Sequence, residues 1–167
     1  IQYLNIPKID SALYYFTSAK NLLTKDNQQT LKMQCIHHIG ICYFELGERQ
    51  KALDLYKIAE KFYEEENQER ELANVYYDYS YSYVEMGDFN KAIDYAKRYH
   101  NIFVKLKDIF SQQSASKQLA EIYKKKGDYK NALFYHEQFF QLYDSIRKTK
   151  NIEEVTELRL NHKFESE

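Results

Sequence analysis

Residues 36–59 read IHHIGICYFELGERQKALDLYKIA, and the same frame returns 40 residues later as YYDYSYSYVEMGDFNKAIDYAKRY (76–99) and again as SKQLAEIYKKKGDYKNALFYHEQF (116–139). In each copy a tyrosine lies four residues before a glycine (Tyr43, Tyr83, Tyr123) and an alanine five residues after it (Ala52, Ala92, Ala132). The chain has only four glycines, and Gly47, Gly87 and Gly127 all hold this one place. A glycine kept between two helical stretches supplies a left-handed or tightly turned backbone. A period of 40 therefore predicts helix–turn–helix units, about four of them stacked in one solenoid, where length alone would allow one or two globular domains.

Composition agrees with a helical repeat protein and excludes several function classes. One proline, four glycines and 29% charged residues suit long helices, and 17 tyrosines with 10 phenylalanines suit helix-on-helix packing with wet hydroxyls. A net charge of −1 argues against direct contact with nucleic acid, which calls for a surplus of lysine and arginine. No apolar run approaches the roughly 18–20 residues that span a bilayer, and no signal peptide is visible. Cys35 and Cys42 are seven apart on one predicted helix, about 10 Å along its axis, too far for a disulfide. They read as small packing residues.

In chain order, residues 1–8 read as a remnant turn, with Pro7 where the repeating glycine would fall and Ala12 in the alanine place. Ile9–Leu23 is then expected to be the second helix of a unit whose first helix is either missing or outside this sequence. Thr24–Thr30 is a polar connector. Helices follow over Gln29–Glu45, Gln50–Tyr63, Gln68–Val84, Asn90–Leu106, Asp108–Lys125 and Lys130–Ile146, with apolar residues at 3–4 spacing. The run Glu64–Glu71 reads as a solvated junction between units. From Arg147 the pattern stops. Ile152, Val155, Leu158 and His162 keep a 3-3-4 spacing, which fits either a helix capping the open end of the stack or the start of a dimerising coiled coil.

The frame resembles the tetratricopeptide repeat (TPR). Its large–small–aromatic signature is met by Ile36, Ile39, Gly40 and Tyr43, and its second-helix signature by Ala52, Tyr56 and Ala59. Tyr76, Tyr79, Ser80, Tyr83, Ala92, Ala96 and Tyr99 repeat it, as do Ser116, Leu119, Ala120, Tyr123, Ala132, His136 and Phe139. The period departs from the 34 residues of the family by nearly two helical turns shared between two helices, and the closing proline is replaced by Glu64, Val104 and Asp144. The resemblance implies an all-α, right-handed TPR-type solenoid of antiparallel helix pairs. It occupies 1–147 (a partial first unit 1–24 and full units about 28–66, 67–106 and 107–147), followed by an amphipathic capping or linker helix over 148–167. Gly40, Ser80 and Ala120 are expected to be small because paired helices cross closely there. A second likeness, over Ala132–Glu165, is to the TPR sensor region of membrane-anchored bacterial histidine kinases and helix-turn-helix regulators, and implies a periplasmic sensor.

No catalytic motif is present: the chain lacks G-x-S-x-G, H-E-x-x-H, a phosphate-binding glycine loop and C-x-x-C. His136-Glu137 is similar to the phospho-accepting pair of histidine kinases, but Gln138-Phe139-Phe140 does not continue that motif and His136 falls on a packing position. His37 and His38 project about 100° apart on a helix and do not suit one metal ion. Neither cofactor nor metal is expected. The first helices of TPR units line a concave groove, and the resemblance carries its exposed positions onto Gln34, His37, Ile41 and Phe44, then Asn74, Tyr77, Tyr81 and Val84, then Ser114, Lys117, Glu121 and Lys124. Amides that satisfy a peptide backbone and tyrosines that give contact at low entropic cost suit a peptide or protein segment. The expected function is a non-enzymatic binding module, the sensor of a larger signalling or transcription-regulatory protein. The alternatives are a cytoplasmic peptide-responsive regulator of response regulators and an assembly scaffold, with a homodimer formed through the C-terminal helix.

Overall fold

The computed structural model describes residues 6–166, and within them the side chains of 8–25, 27–152, 154 and 156. Every regular element is helical: α1 (Ile6–Leu22), a short 3-10 turn (Asp26–Gln28), α2 (Gln29–Glu45), α3 (Arg49–Glu65), α4 (Glu69–Glu85), α5 (Phe89–Lys105), α6 (Ile109–Lys126) and α7 (Tyr129–Ser166). The chain divides into two compact units, Ile1–Tyr99 and His100–Glu167, and the division falls inside α5.

The expected glycine turns are there, and each has the same hydrogen bonds. Gly47, Gly87 and Gly127 stand at φ +84°, +79° and +83°. At the first, the Glu48 N–H donates to the Tyr43 carbonyl and the Gly47 N–H to the Phe44 carbonyl, both at 2.9 Å. This is the Schellman closure, which satisfies carbonyls that a helix end leaves without partners. Asn67 and Lys107, both at φ 54°, close α3 and α5 the same way, with Gln68 N–H to Tyr63 O at 2.9 Å and Asp108 N–H to Phe103 O at 3.0 Å. The left-handed residue thus recurs every 20 residues, at junctions the sequence marks with glycine and at junctions it does not. Entry to the next helix is also repeated. Asp88, Asp108 and Asp128 accept from the N–H groups of Lys91, Ser111 and Asn131 at 3.1–3.2 Å, as helix-capping carboxylates do.

Packing within the first unit turns on close backbone approach. A Cβ on Gly40 would stand 2.8 Å from Cε1 of Tyr56, so glycine is what lets the Tyr56 ring lie against α2. In the next pair Ser80 is fully buried and its hydroxyl donates to the Ala92 carbonyl at 2.9 Å, drawing α4 onto α5. Aromatic rings fill the rest. Tyr79 and Tyr95 stack 4.4 Å apart, Tyr83 lies parallel to both, and the Arg98 guanidinium covers Tyr95 at 5.3 Å. Burial, joined by the neighbouring Glu60, pushes the Tyr95 hydroxyl up to about 12. In the second unit Tyr123 and Tyr135 stack in the same fashion across α6 and α7, 5.6 Å apart.

Two expectations are corrected. Pro7 lies in the first turn of α1 and not in a preceding turn, a position where its missing N–H breaks no bond. The second helix of the last unit does not stop near Ile146 but continues unbroken to Ser166, because nothing in Arg147–Lys150 supplies the left-handed residue that ended the earlier helices. Ile152 is exposed. The side chains of Val155, Leu158 and His162 lie outside the described residues.

The turns separate two kinds of cost. No atom lies within 4 Å of a Cβ built on Gly87, so Gly87→Ala should lose about 1 kcal/mol from left-handed backbone strain alone. Lys107→Gly should gain a similar or smaller amount, about 0.5–1 kcal/mol. Urea denaturation of the two variants measures both, and a destabilised Lys107→Gly would contradict the account of the inter-unit turns.

Candidate functional site

The predicted groove positions sort into two groups, each inside one unit. In the first, α2 and α4 lie side by side with α3 beneath them, and between them is a cavity of about 310 Å³. Gln34, His37 and Ile41 from α2 and Asn74 and Tyr77 from α4 line it, all of them expected. The structure adds His38, Tyr63, Glu71 and Asp78. Tyr63 forms part of the lining from α3 with only 1% of its surface exposed, and burial, assisted by Glu71, pushes its hydroxyl up to about 12.

His37 is not the free groove donor that its register suggests. It is 94% buried by residue surface, 6% remaining exposed, with its ring edge-to-face on Tyr56 at 5.6 Å. Its Nε2 stands 2.8 Å from Oδ2 of Asp78. The contact does not meet hydrogen-bond geometry, and the pair is ionic only when the imidazole is protonated. His38 turns outward and stacks on Phe16 of α1, 4.8 Å between centroids. Burial lowers its pKa and the adjacent His37 lowers it further, while Asp78 opposes them. No serine, threonine or cysteine lines this cavity. Among the described residues no three His, Cys, Asp or Glu side chains gather as metal ligands.

Phe44, Tyr81, Val84 and Ser114 do not line either cavity. Phe44 is buried and meets the exposed ring of Tyr81 edge-on at 5.8 Å. This corrects the expectation of an open groove position at Phe44. Val84 is half-buried, and the Ser114 hydroxyl donates to the Phe110 carbonyl of its own helix at 3.3 Å. The second unit holds a cavity of about 460 Å³ between α6 and α7, lined by the expected Lys117, Glu121 and Lys124. Ala120 on α6 and Tyr129, Ala132, Leu133, His136 and Phe139 on α7 complete it. Here the repeat register misleads, because no described helix follows α7 to cover its outer face. Leu133 is 58% exposed where the equivalent Ile93 is 7%, and Tyr143 is 47% exposed where Phe103 is 5%. His136, expected to be packed or interfacial, is exposed with its ring 4.8 Å from Phe140.

With this geometry in hand, comparison with known proteins is direct. Residues 29–103 and 118–145 match models of the tetratricopeptide repeat, more than half of the chain between them. The chain is a tetratricopeptide-repeat protein. Its all-α, TPR-type solenoid fold is also that of solved structures of low sequence identity. One is BtubC (BKLC) from P. vanneervenii, 16% identical over 84% of this chain and 59% of that chain, with a TM-score of 0.75. Another is aspartyl phosphate phosphatase F from Bacillus subtilis, 18% identical over 80% of this chain and 35% of that one, also at 0.75. A third is a putative kinesin light chain from Podosopora anserina, 14% identical over 85% and 70%, at 0.68. The TPR chain therefore spans between about a third and three-fifths of the first two. No curated protein matches its sequence. Among the described residues no helix is long and apolar enough to cross a membrane.

The imidazoles report on the cavity. In an NMR titration of the TPR chain His38 should ionise below the usual value of about 6.5. Asp78→Asn should lower it further, since the carboxylate favours the charged ring. The same sign makes His38 a source of stability at neutral pH that is lost as pH falls through its folded pKa. A His38 pKa that rises in Asp78→Asn would contradict the arrangement.

Proposed function

We propose that the chain is a non-enzymatic module that binds a peptide or protein segment, with the α2–α4 cavity as the centre of its binding surface. The observation that carries this reading is the convergence of Gln34, Asn74 and Tyr77 on one concave, half-open space floored by a buried tyrosine. Amide side chains at that spacing can pair with the backbone of an extended segment, and a tyrosine beside them supplies contact area with little rotamer entropy to lose. TPR proteins as a class act by binding other proteins, and the cavity volume falls within the range of ligand sites.

On this reading the module is the sensor or interaction part of a larger bacterial signalling or transcription-regulatory protein. The likeness of Ala132–Glu165 to membrane-anchored regulators supports that context, as does the continuous α7, a rigid rod of about 57 Å at 1.5 Å per residue. A helix that leaves the last repeat without a break is suited to transmit a change in the groove. A second reading, a cytoplasmic peptide-responsive regulator of response regulators, is favoured by the shared fold with aspartyl phosphate phosphatase F. A hydrophobic span soon after Glu167 in the parent reading frame favours the first, with periplasmic placement; a helical effector region before the repeats favours the second. An assembly scaffold is the third reading, tested by light scattering of chains with and without 148–167. A monomer in both cases removes the homodimer.

The groove is tested by selecting peptides from a displayed random library against the whole chain and titrating them calorimetrically. Asn74→Ala with Tyr77→Ala should weaken binding at least tenfold while circular dichroism stays unchanged. Affinity equal to that of the parent chain would rule out this surface.

A further inference from the structure

The α2–α4 cavity carries two carboxylates beside the imidazoles of His37 and His38. Its two carboxylates, Glu71 and Asp78, project from α4 seven residues apart, about 10 Å along the axis, with Asn74 and Tyr77 between them. Neither a lysine nor an arginine lines the space. The α6–α7 cavity is opposite in character, with Lys117 and Lys124 flanking Glu121. The carboxylates of the first site stand in a chain that is nearly neutral as a whole.

Three neighbours register the same field. Burial and then Glu71 raise the pKa of the Tyr63 hydroxyl, burial and then Asp78 raise that of the Tyr56 hydroxyl, and at His38, whose pKa burial and His37 lower, Asp78 pulls the other way. In each case the carboxylate's part is the response of a titrating group to nearby negative charge, and it comes after burial. Asp78 is only 20% exposed, so solvent screens it less than an ordinary surface carboxylate. One of its oxygens faces His37, and a carboxylate has acceptor capacity beyond a single contact. Beside it Tyr77 stands 44% exposed, edge-to-face with Tyr99 at 5.6 Å. A half-open tyrosine ring next to a shielded carboxylate is the setting that a cationic side chain prefers, by charge and by cation–π attraction together.

We propose that this cavity selects a positively charged side chain, arginine or lysine, from the bound segment, with Asp78 as its ionic partner, Tyr77 as its stacking surface and Glu71 adding to the attraction. The inference rests on the groove reading above and specifies the class of segment that the groove accepts. Asn74 and Gln34 then hold the backbone on either side of the cation. The ligand is a basic peptide, and an acidic one is repelled.

The test titrates the whole chain, followed by 1H–15N NMR, with three capped tripeptides, N-acetyl-Ala-X-Ala-amide, in which X is arginine, norleucine or glutamate. Acetylation removes the terminal amine as a second source of positive charge. The arginine peptide should shift amides of α2 and of Glu71–Asp78, with an apparent Kd at least fivefold below that of norleucine and no saturable shift from glutamate. Added salt should weaken it. Asp78→Asn and Glu71→Gln should each raise that Kd threefold or more, and Glu71→Gln serves as the check because it leaves the His37–Asp78 contact intact. Equal shifts from norleucine and arginine at these residues would overturn the cationic selection and leave the groove reading standing. Arginine shifts confined to other helices, or none from any peptide, would overturn the inference, and the library-selected peptides with the Asn74→Ala, Tyr77→Ala chain then decide the groove reading separately.

Discussion

A residue in the left-handed conformation every 20 positions is the constraint on which the rest of this structure depends. At Gly47, Asn67, Gly87, Lys107 and Gly127 the backbone takes φ between 54° and 84°. At each one the following N–H reaches back to the carbonyl five residues before it. That pair of bonds ends a helix without stranding its carbonyls and reverses the chain in two residues. Four helices of 17 residues in succession follow from it. Where the device is missing, after Ser145, the helix runs on to Ser166. The positive φ is cheap for glycine, tolerable for asparagine and costly for lysine, so Lys107 shows that the surrounding packing can impose the turn on a residue that does not favour it.

Equal helix lengths put equivalent residues opposite one another, and small residues then decide how close the helices come. Gly40 admits the ring of Tyr56, and Ser80 satisfies its hydroxyl on the Ala92 carbonyl while filling little space. Close approach leaves room for rings and little else, which accounts for the run of stacked and edge-on tyrosines from Tyr56 through Tyr79 to Tyr95. The phenolic groups are buried enough to be raised well above their usual pKa, yet several keep partners, as with Tyr76 on Glu64 at 3.0 Å. These rings tie α4 to the helices on either side of it in the chain, α3 and α5.

The cavity between α2 and α4 shows how particular side chains are layered on that scaffold. Residues at 34, 37 and 41 and at 74 and 77 converge because the register repeats by 40. The chemistry comes from residues that the register does not single out. Glu71 lies at the start of α4, and Asp78 is one step beyond the groove position at Tyr77. Their carboxylates matter because the neighbouring helices remove solvent from around them, and Asp78 is held at 20% exposure against a buried imidazole. The same carboxylates on an isolated helix would be ordinary surface charges, worth little.

The amino-acid sequence alone determined the helices, the glycine turns, the small crossing residues and five of the residues lining the first cavity. All of these follow from spacing along one chain, and spacing is what a local reading can measure. Burial and adjacency across helices required the tertiary structure. It turned Phe44 inward under Tyr81, closed His37 against Asp78, and exposed Leu133, His136 and Tyr143 on a face whose register equivalents are covered. It also joined α7 into one rod. Each depends on which neighbouring helix is present to exclude water, and that is a property of the assembled fold with no signature in the periodicity of the sequence.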